Sequence, residues 1–324
     1  MDYKLLIKVA GIIFISAVLG QNLQAQSRND VIKAYNEGAK VIKTDTEAAI
    51  TAFENAVTLA DQVGETADDL KQKLTGALPS LYFKVANDAL RANKPVQEVI
   101  QAAKRAIDAS EKYNSATNKE NSEKVMLQAY LNMASGFFNE NDYDNALSSF
   151  DSALMINPGY VAAIYNKSLV YLRQNNADEF EKSIDLYLEK LGSGPEDEKA
   201  KQASKTALEY FRAAGSKANQ EENLDEALAL LTKAEKYGED KDLFYFFADV
   251  YNKQKKFDQA MEYAQKGLAL ETGDSEAKAK YYFQLGLAQK GKGQTSEACA
   301  SFKNSLFGAF AEASKAERSN LKCQ

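Results

Sequence analysis

Small apolar residues and aromatics recur along this chain at steps of four and three, the spacing that puts side chains on one face of an α-helix. The clearest instance is YDNALSSFDSALMINP, from Tyr143 to Pro158. There Ala146, Phe150 and Ala153 share a face, and Pro158, with no amide hydrogen to donate, marks where a helix must stop. A face of small, aromatic and small residues lets a second helix approach closely, so the segment reads as the second helix of a hairpin. Seven such segments occur. Before it come Ala49, Phe53 and Ala56, then Val99, Ala103 and Ala106. After it come Ser183 and Tyr187 with Lys190 in the second small place, then Ala227, Leu231 and Ala234, then Ala260, Ala264 and Gly267, then Ala298, Phe302 and Ser305. From Ser27 onward helix-length amphipathic segments alternate with short polar breaks, and no run of alternating β-branched residues reads as a strand, so the expected fold is all-α.

About twelve residues upstream of the leading position lies a second set of landmarks. Before Ala146 these are Tyr130, Met133, Ala134 and Phe137; before Ala260, Phe244, Phe247, Ala248 and Tyr251; before Ala298, Tyr282, Leu285, Gly286 and Gln289. The paired pattern resembles the tetratricopeptide repeat, a helix-turn-helix unit of about 34 residues. That resemblance implies a right-handed superhelical α-solenoid of stacked hairpins. It is good over 127–160, 241–274 and 279–312, fair over 208–240, and carries a short insertion near NNADE in 161–194. In the divergent part, 27–111, Gly38 and Ala86 sit about one residue out of register with the expected small position. These first two hairpins read either as true repeats or as plain helical hairpins.

KYNSATNKENSEK, 112–124, and GSGPEDEK, 192–199, lack apolar periodicity and are rich in turn formers, so both read as connectors, the first opening a repeat array over 125–312. GAFAEASKAERSNLK reads as one further amphipathic helix with Phe310 on its apolar side, and 313–324 as a C-terminal capping helix and tail. Stacked hairpins leave an apolar face at each end, which a helix with a polar outer side covers.

At the other end, Lys4 and Lys8, an apolar core from Val9 to Leu19 and small or polar residues around Ala25 form the tripartite pattern of a secretory signal peptide, 1–26, cut after Ala25 or Gln26. Eleven apolar residues fall short of the roughly 20 that cross a bilayer as a helix. No cysteine follows the core, so a lipid-anchored export form lacks its thiol. The expected address is the periplasm of a Gram-negative cell.

Composition narrows the function classes. A net charge of -6 gives no concentrated basic surface for nucleic acid. The absence of histidine excludes Ser-His-Asp and Cys-His catalysis and histidine metal ligands, and two cysteines cannot complete a four-thiolate zinc site. No Gly-rich phosphate loop occurs. Paired carboxylates, Asp68 with Asp69 and Glu221 with Glu222, lie in highly charged surroundings and read as solvated surface. No enzyme, cofactor or metal is expected.

Most of the aromatics fall at repeat landmarks and read as packing. In the family resembled, the first helices line a concave groove. Carried onto this chain, the groove places hold Leu131, Asn132 and Ser135, then Tyr165, Asn166 and Leu169, then Arg212 and Ser216, Tyr245 and Asp249, and Phe283 and Leu287. Amides among apolar and aromatic side chains suit an extended segment or helix of a partner protein. The resemblance thus implies a protein-interaction scaffold; Asn132 and Asn166 fill one place of a carboxylate clamp, but its cationic places are not filled. The rival reading is a small-molecule or glycan-binding module of an outer-membrane uptake system, which would rely on a lipid anchor and tryptophan platforms that this chain lacks. Finally, if the terminal helix folds back over the last repeat helix, Cys299 and Cys323 come within bridging range; otherwise Cys299 is buried and Cys323 loose.

Overall fold

The structure, a computed structural model, describes residues 27–192, 194 and 197–324. The signal-peptide segment and its cleavage site lie outside the described residues, as do three positions of the 192–199 stretch. The described residues form fifteen α-helices, and the chain divides into two compact units, 1–158 and 159–324.

The first unit holds three hairpins: α1 (Arg28–Val41) with α2 (Thr46–Val63), α3 (Asp68–Arg91) with α4 (Val96–Lys112), and α5 (Ala116–Asn139) with α6 (Tyr143–Ile156). Their core is the predicted small and aromatic set, with Phe53, Ala103, Ala106, Phe150 and Ala153 all buried. Each such side chain contributes roughly 1.5–3 kcal/mol when large and fully buried. The expected connector 112–124 is a correction: α5 starts at Ala116 and runs unbroken into the repeat helix. Ion pairs one turn apart, Lys124 with Glu120 at 2.7 Å and Lys119 with Glu123 at 3.9 Å, line the solvent side of this stretch, which apolar periodicity does not announce. On its inner side Ser122 is buried, its hydroxyl donating to the Asn118 carbonyl at 2.7 Å.

The second unit holds α7 (Val161–Arg173) with α8 (Ala177–Leu191), α9 (Glu198–Gln220) with α10 (Leu224–Glu235), α11 (Lys241–Lys253) with α12 (Phe257–Leu270), and α13 (Ser275–Gly291) with α14 (Thr295–Asn304). A 3-10 turn, Gly308–Phe310, leads into α15 (Ala311–Asn320). Short polar side chains start these helices: Asn176, Asp197, Asp240 and Asp274 each accept a backbone amide of the first turn. In α8 the buried face is Phe180, Ile184 and Tyr187, so Ser183 and Lys190 are not its landmarks. Buried Ile184 stands sixteen residues after buried Ser168, the spacing at which Gly215 meets Leu231, so no insertion is needed near NNADE.

One turn recurs within the hairpins. Asn141, Asn175, Glu222, Lys255 and Gly293 each adopt a left-handed φ between 54° and 75°. The next residue donates its amide back five places, as from Asp142 to Phe137 at 2.9 Å and from Asn176 to Tyr171 at 3.0 Å. This closes the first helix and starts the second at once. Asparagine tolerates this region better than other residues with a side chain, which explains the Asn-rich breaks. The second hairpin uses the same turn at Asn93 but adds one residue before Val96, and the first uses no left-handed residue between Val41 and Thr46. Those two turns account for the one-residue offsets of Ala86 and Gly38.

Candidate functional site

The exposed side of the first helices is where the repeats differ, and it is fixed by what the other side buries. On α5, Leu127, Leu131 and Ala134 form one buried stripe at steps of four and three. Leu131, expected in the groove, is therefore a core residue; the apolar face of this helix is wider than the landmarks suggest. Asn132 and Ser135 are exposed, and Asn132 accepts a hydrogen bond from Gln128 Nε2 at 2.9 Å.

In the second unit, Tyr165, Asn166 and Leu169 are half-buried on α7, with the Tyr165 ring centroid 4.9 Å from that of Tyr187. Arg212 and Ser216 lie half-buried on α9, Tyr245 and Asp249 on α11, and Phe283 and Leu287 on α13. The charged members are already engaged. Arg212 forms an ion pair with Asp240 at the start of α11. Asp249 accepts from Asn219 Nδ2 on α9 at 2.6 Å and from Gln284 Nε2 on α13 at 2.8 Å, with Lys253 Nζ 3.4 Å away.

These bonds belong to a ladder across three successive first helices that the sequence reading did not find. Lys253 also donates to Asn219 Oδ1 at 2.8 Å, and Asn252 Nδ2 donates to Gln284 Oε1 at 2.8 Å. Asn219 and Gln284 are buried, so their amides need these partners. One signal was available: Asn219 and Asn252 each stand four residues after the small position, Gly215 or Ala248. A polar residue repeated at that place is a ladder rung.

Aromatic rings flank the ladder. Phe310, carried by the 3-10 turn, sits 5.3 Å from Phe283 and 6.5 Å from Tyr245, centroid to centroid. Burial, with the nearby Asp249 charge, raises the Tyr245 hydroxyl above its usual range, so it stays a neutral donor at physiological pH. Burial opposes ionisation of Asp242, yet the Lys280 ammonium at 2.5 Å outweighs it and the carboxyl titrates low. Charge on this face is thus neutralised from within. What it presents outward is half-buried apolar and aromatic surface with amide and hydroxyl groups.

The remaining expectations fall elsewhere. Asp69 pairs with Arg28, and the guanidinium holds its carboxyl down at about 2, so it carries no transferable proton near neutrality. Cys299 and Cys323 form a disulfide with Cα atoms 5.6 Å apart. Among the described residues no cluster of acidic or sulfur side chains could hold a metal ion, and no helix is long and apolar enough to cross a membrane.

Residues 137–196 match one tetratricopeptide repeat model, and 242–273 and 279–306 match another. These segments are tetratricopeptide repeats. Such repeats are protein-interaction modules and generally non-catalytic, and the described residues of the chain carrying them are all-α, packed as successive helical hairpins. No curated protein matches the chain. Among solved structures, MamA is similar over 61% of this chain and 96% of its own, at 19% identity and a TM-score of 0.34. A tetratricopeptide repeat protein from Parabacteroides merdae ATCC 43184 is similar over 91% and 99%, at 17% identity and 0.30. YrrB, described as having an unusual peptide-binding site, is similar over 60% and 91%, at 18% identity and 0.34. At such TM-scores the repeats rest on the matched segments and on hairpin geometry.

Proposed function

We propose that this protein is a non-enzymatic interaction scaffold of the bacterial cell envelope, and that it holds a segment of a partner protein along the first-helix face of its second unit. One observation carries the reading: on that face the charges are paired internally, through Arg212 with Asp240, Lys280 with Asp242 and Lys253 with Asp249, while Tyr165, Leu169 and Leu287 stay partly exposed beside amides. A face of this kind recognises backbone and apolar side chains rather than net charge. An acidic C-terminal tail, which needs unpaired cations, is not its ligand.

Export to the periplasm rests on the tripartite leader, and the Cys299–Cys323 bridge agrees with an oxidising compartment. Amino-terminal sequencing of the protein recovered from a periplasmic extract should begin at Gln26 or Ser27. An intact Met1 there would remove the export reading. For the groove, the test is affinity capture from envelope extract with the unsubstituted chain and with Leu169→Ser/Leu287→Ser. A partner held by the first and lost by the second, with helicity unchanged, is the expected result; equal capture by both would place the binding surface elsewhere.

A further inference from the structure

The first-helix face of the second unit already has an occupant at its C-terminal end. After α14 the chain turns at Gly308, whose φ of +51° only glycine adopts freely, and a Cβ there would lie 2.5 Å from Glu276 Oε1 on α13. The turn delivers Phe310 against Phe283 on α13 and Tyr245 on α11, two of the residues that the groove reading assigns to a partner. The Tyr245 ring also meets the edge of Tyr281 at 6.3 Å and the Lys280 ammonium at 5.4 Å, so a half-buried Phe310 joins an aromatic cluster on this face.

The segment behind Phe310 is fastened at several points. Ser314 and Ser305 are buried and joined through their hydroxyls at 2.7 Å. Arg318 Nη1 donates to the Cys299 carbonyl at 2.6 Å, Lys290 pairs with Glu317 at 2.5 Å, and the disulfide ties the tail to α14. Apart from the buried serine pair, the polar contacts are part-exposed and individually worth little against the entropy of ordering a terminal segment. The covalent tie is the one that changes with conditions.

We propose that the Gly308–Cys323 segment is a redox-held cover: Phe310 fills an aromatic site on the groove, and opening Cys299–Cys323 releases the segment so that an aromatic side chain of the partner can take its place. This rests on the groove reading above and adds what controls that end of it. The step needs a reducing dithiol. Its thiolate attacks one sulfur of the bridge, its second thiol resolves the mixed disulfide, and two electrons and two protons pass over, leaving Cys299 and Cys323 as thiols and the reductant as a disulfide.

The chain has no tryptophan, so Phe310→Trp places a single reporter in the site. With the bridge closed, its emission is expected to be blue-shifted and shielded from acrylamide. After reduction, verified by titration of two thiols, it should shift to the red and become accessible, with overall helicity retained. In the unsubstituted full-length chain, reduction should speed amide exchange across Ala311–Asn320 about three hundredfold, the loop-closure effect of a bridge spanning 24 residues, and leave mid-α11 unchanged. A reporter equally shielded in both states, or unchanged exchange in α15, overturns the cover. Photocrosslinking from Leu287 separates this from the groove reading. Partner adducts that rise on reduction support both. Adducts equal in both states sink the cover alone, and none in either state, with the reporter responding, sinks the groove alone.

Discussion

The first hairpin and the last make the same contact with different spacing. In the last, Gly286 on α13 faces Phe302 on α14, sixteen residues on, and a Cβ on the glycine would lie 2.8 Å from the ring. In the first, Gly38 on α1 faces Phe53 on α2 only fifteen residues on, and a Cβ there would lie 2.5 Å from that ring. The missing residue comes out of the turn, which in the first hairpin has no left-handed position. Packing depends on the contact, whereas a repeat model depends on the spacing. The first two hairpins, whose turns differ, lie outside the matched segments.

If the two contacts are equivalent, emptying them should cost alike. Phe53→Ala and Phe302→Ala should each destabilise by about 3–5 kcal/mol, read as urea unfolding resolved by hydrogen exchange in each hairpin. A cost in the last hairpin with none in the first would show that Phe53 only decorates a plain hairpin. A smaller effect comes from filling the gap. Gly38→Ala and Gly286→Ala press a methyl group into a ring, at about 1–3 kcal/mol each by the same measurement. Gly38→Ala being neutral would break the equivalence.

The comparison is sharpened by polar contacts, where the units differ. In the first unit Arg105 joins Glu47 through two 2.9 Å bonds at a half-exposed site, so Arg105→Ala should cost no more than about 1 kcal/mol. In the second, Asp249→Ala strips acceptors from the buried amides of Asn219 and Gln284 and should cost about 1–3 kcal/mol, seen as faster exchange in both α9 and α13. Loss confined to α11 would mean the ladder does not couple helices.

The smallest expected effect concerns pH. Lys241, aided by the Gly273 amide, holds the buried Glu271 carboxyl below its usual 4.5. The folded state favours the carboxylate, so this contribution is complete above that value and fades as pH falls through the lower folded one. Exchange at Gly273 should quicken below pH 4.5 beyond the chemical trend, and Glu271→Gln should abolish that change.

The hairpins were legible because their buried face repeats at steps of four and three, as at Ala146, Phe150 and Ala153. The α5 extension was not, because residues 116–124 bury only Ser122 and carry no apolar stripe, while pairs such as Lys124 with Glu120 lie exposed. Leu131 was misplaced because family register says which side a residue takes, while burial depends on how wide the local apolar face is. The ladder was missed for a third reason: Asn219, Asp249 and Gln284 come together across helices about 30 residues apart, and only packing reveals which polar residues are spoken for.

The central claim is that the first-helix face of the second unit is the working surface and the second helices are support. A photoreactive residue placed in turn at Leu169, at Leu287 and at exposed Gln259 on α12 tests it in living cells. The account predicts one discrete protein adduct shared by the first two positions, with the yield at Leu287 raised under reducing conditions, and none at Gln259. An adduct from Gln259 with neither groove position labelled would contradict it.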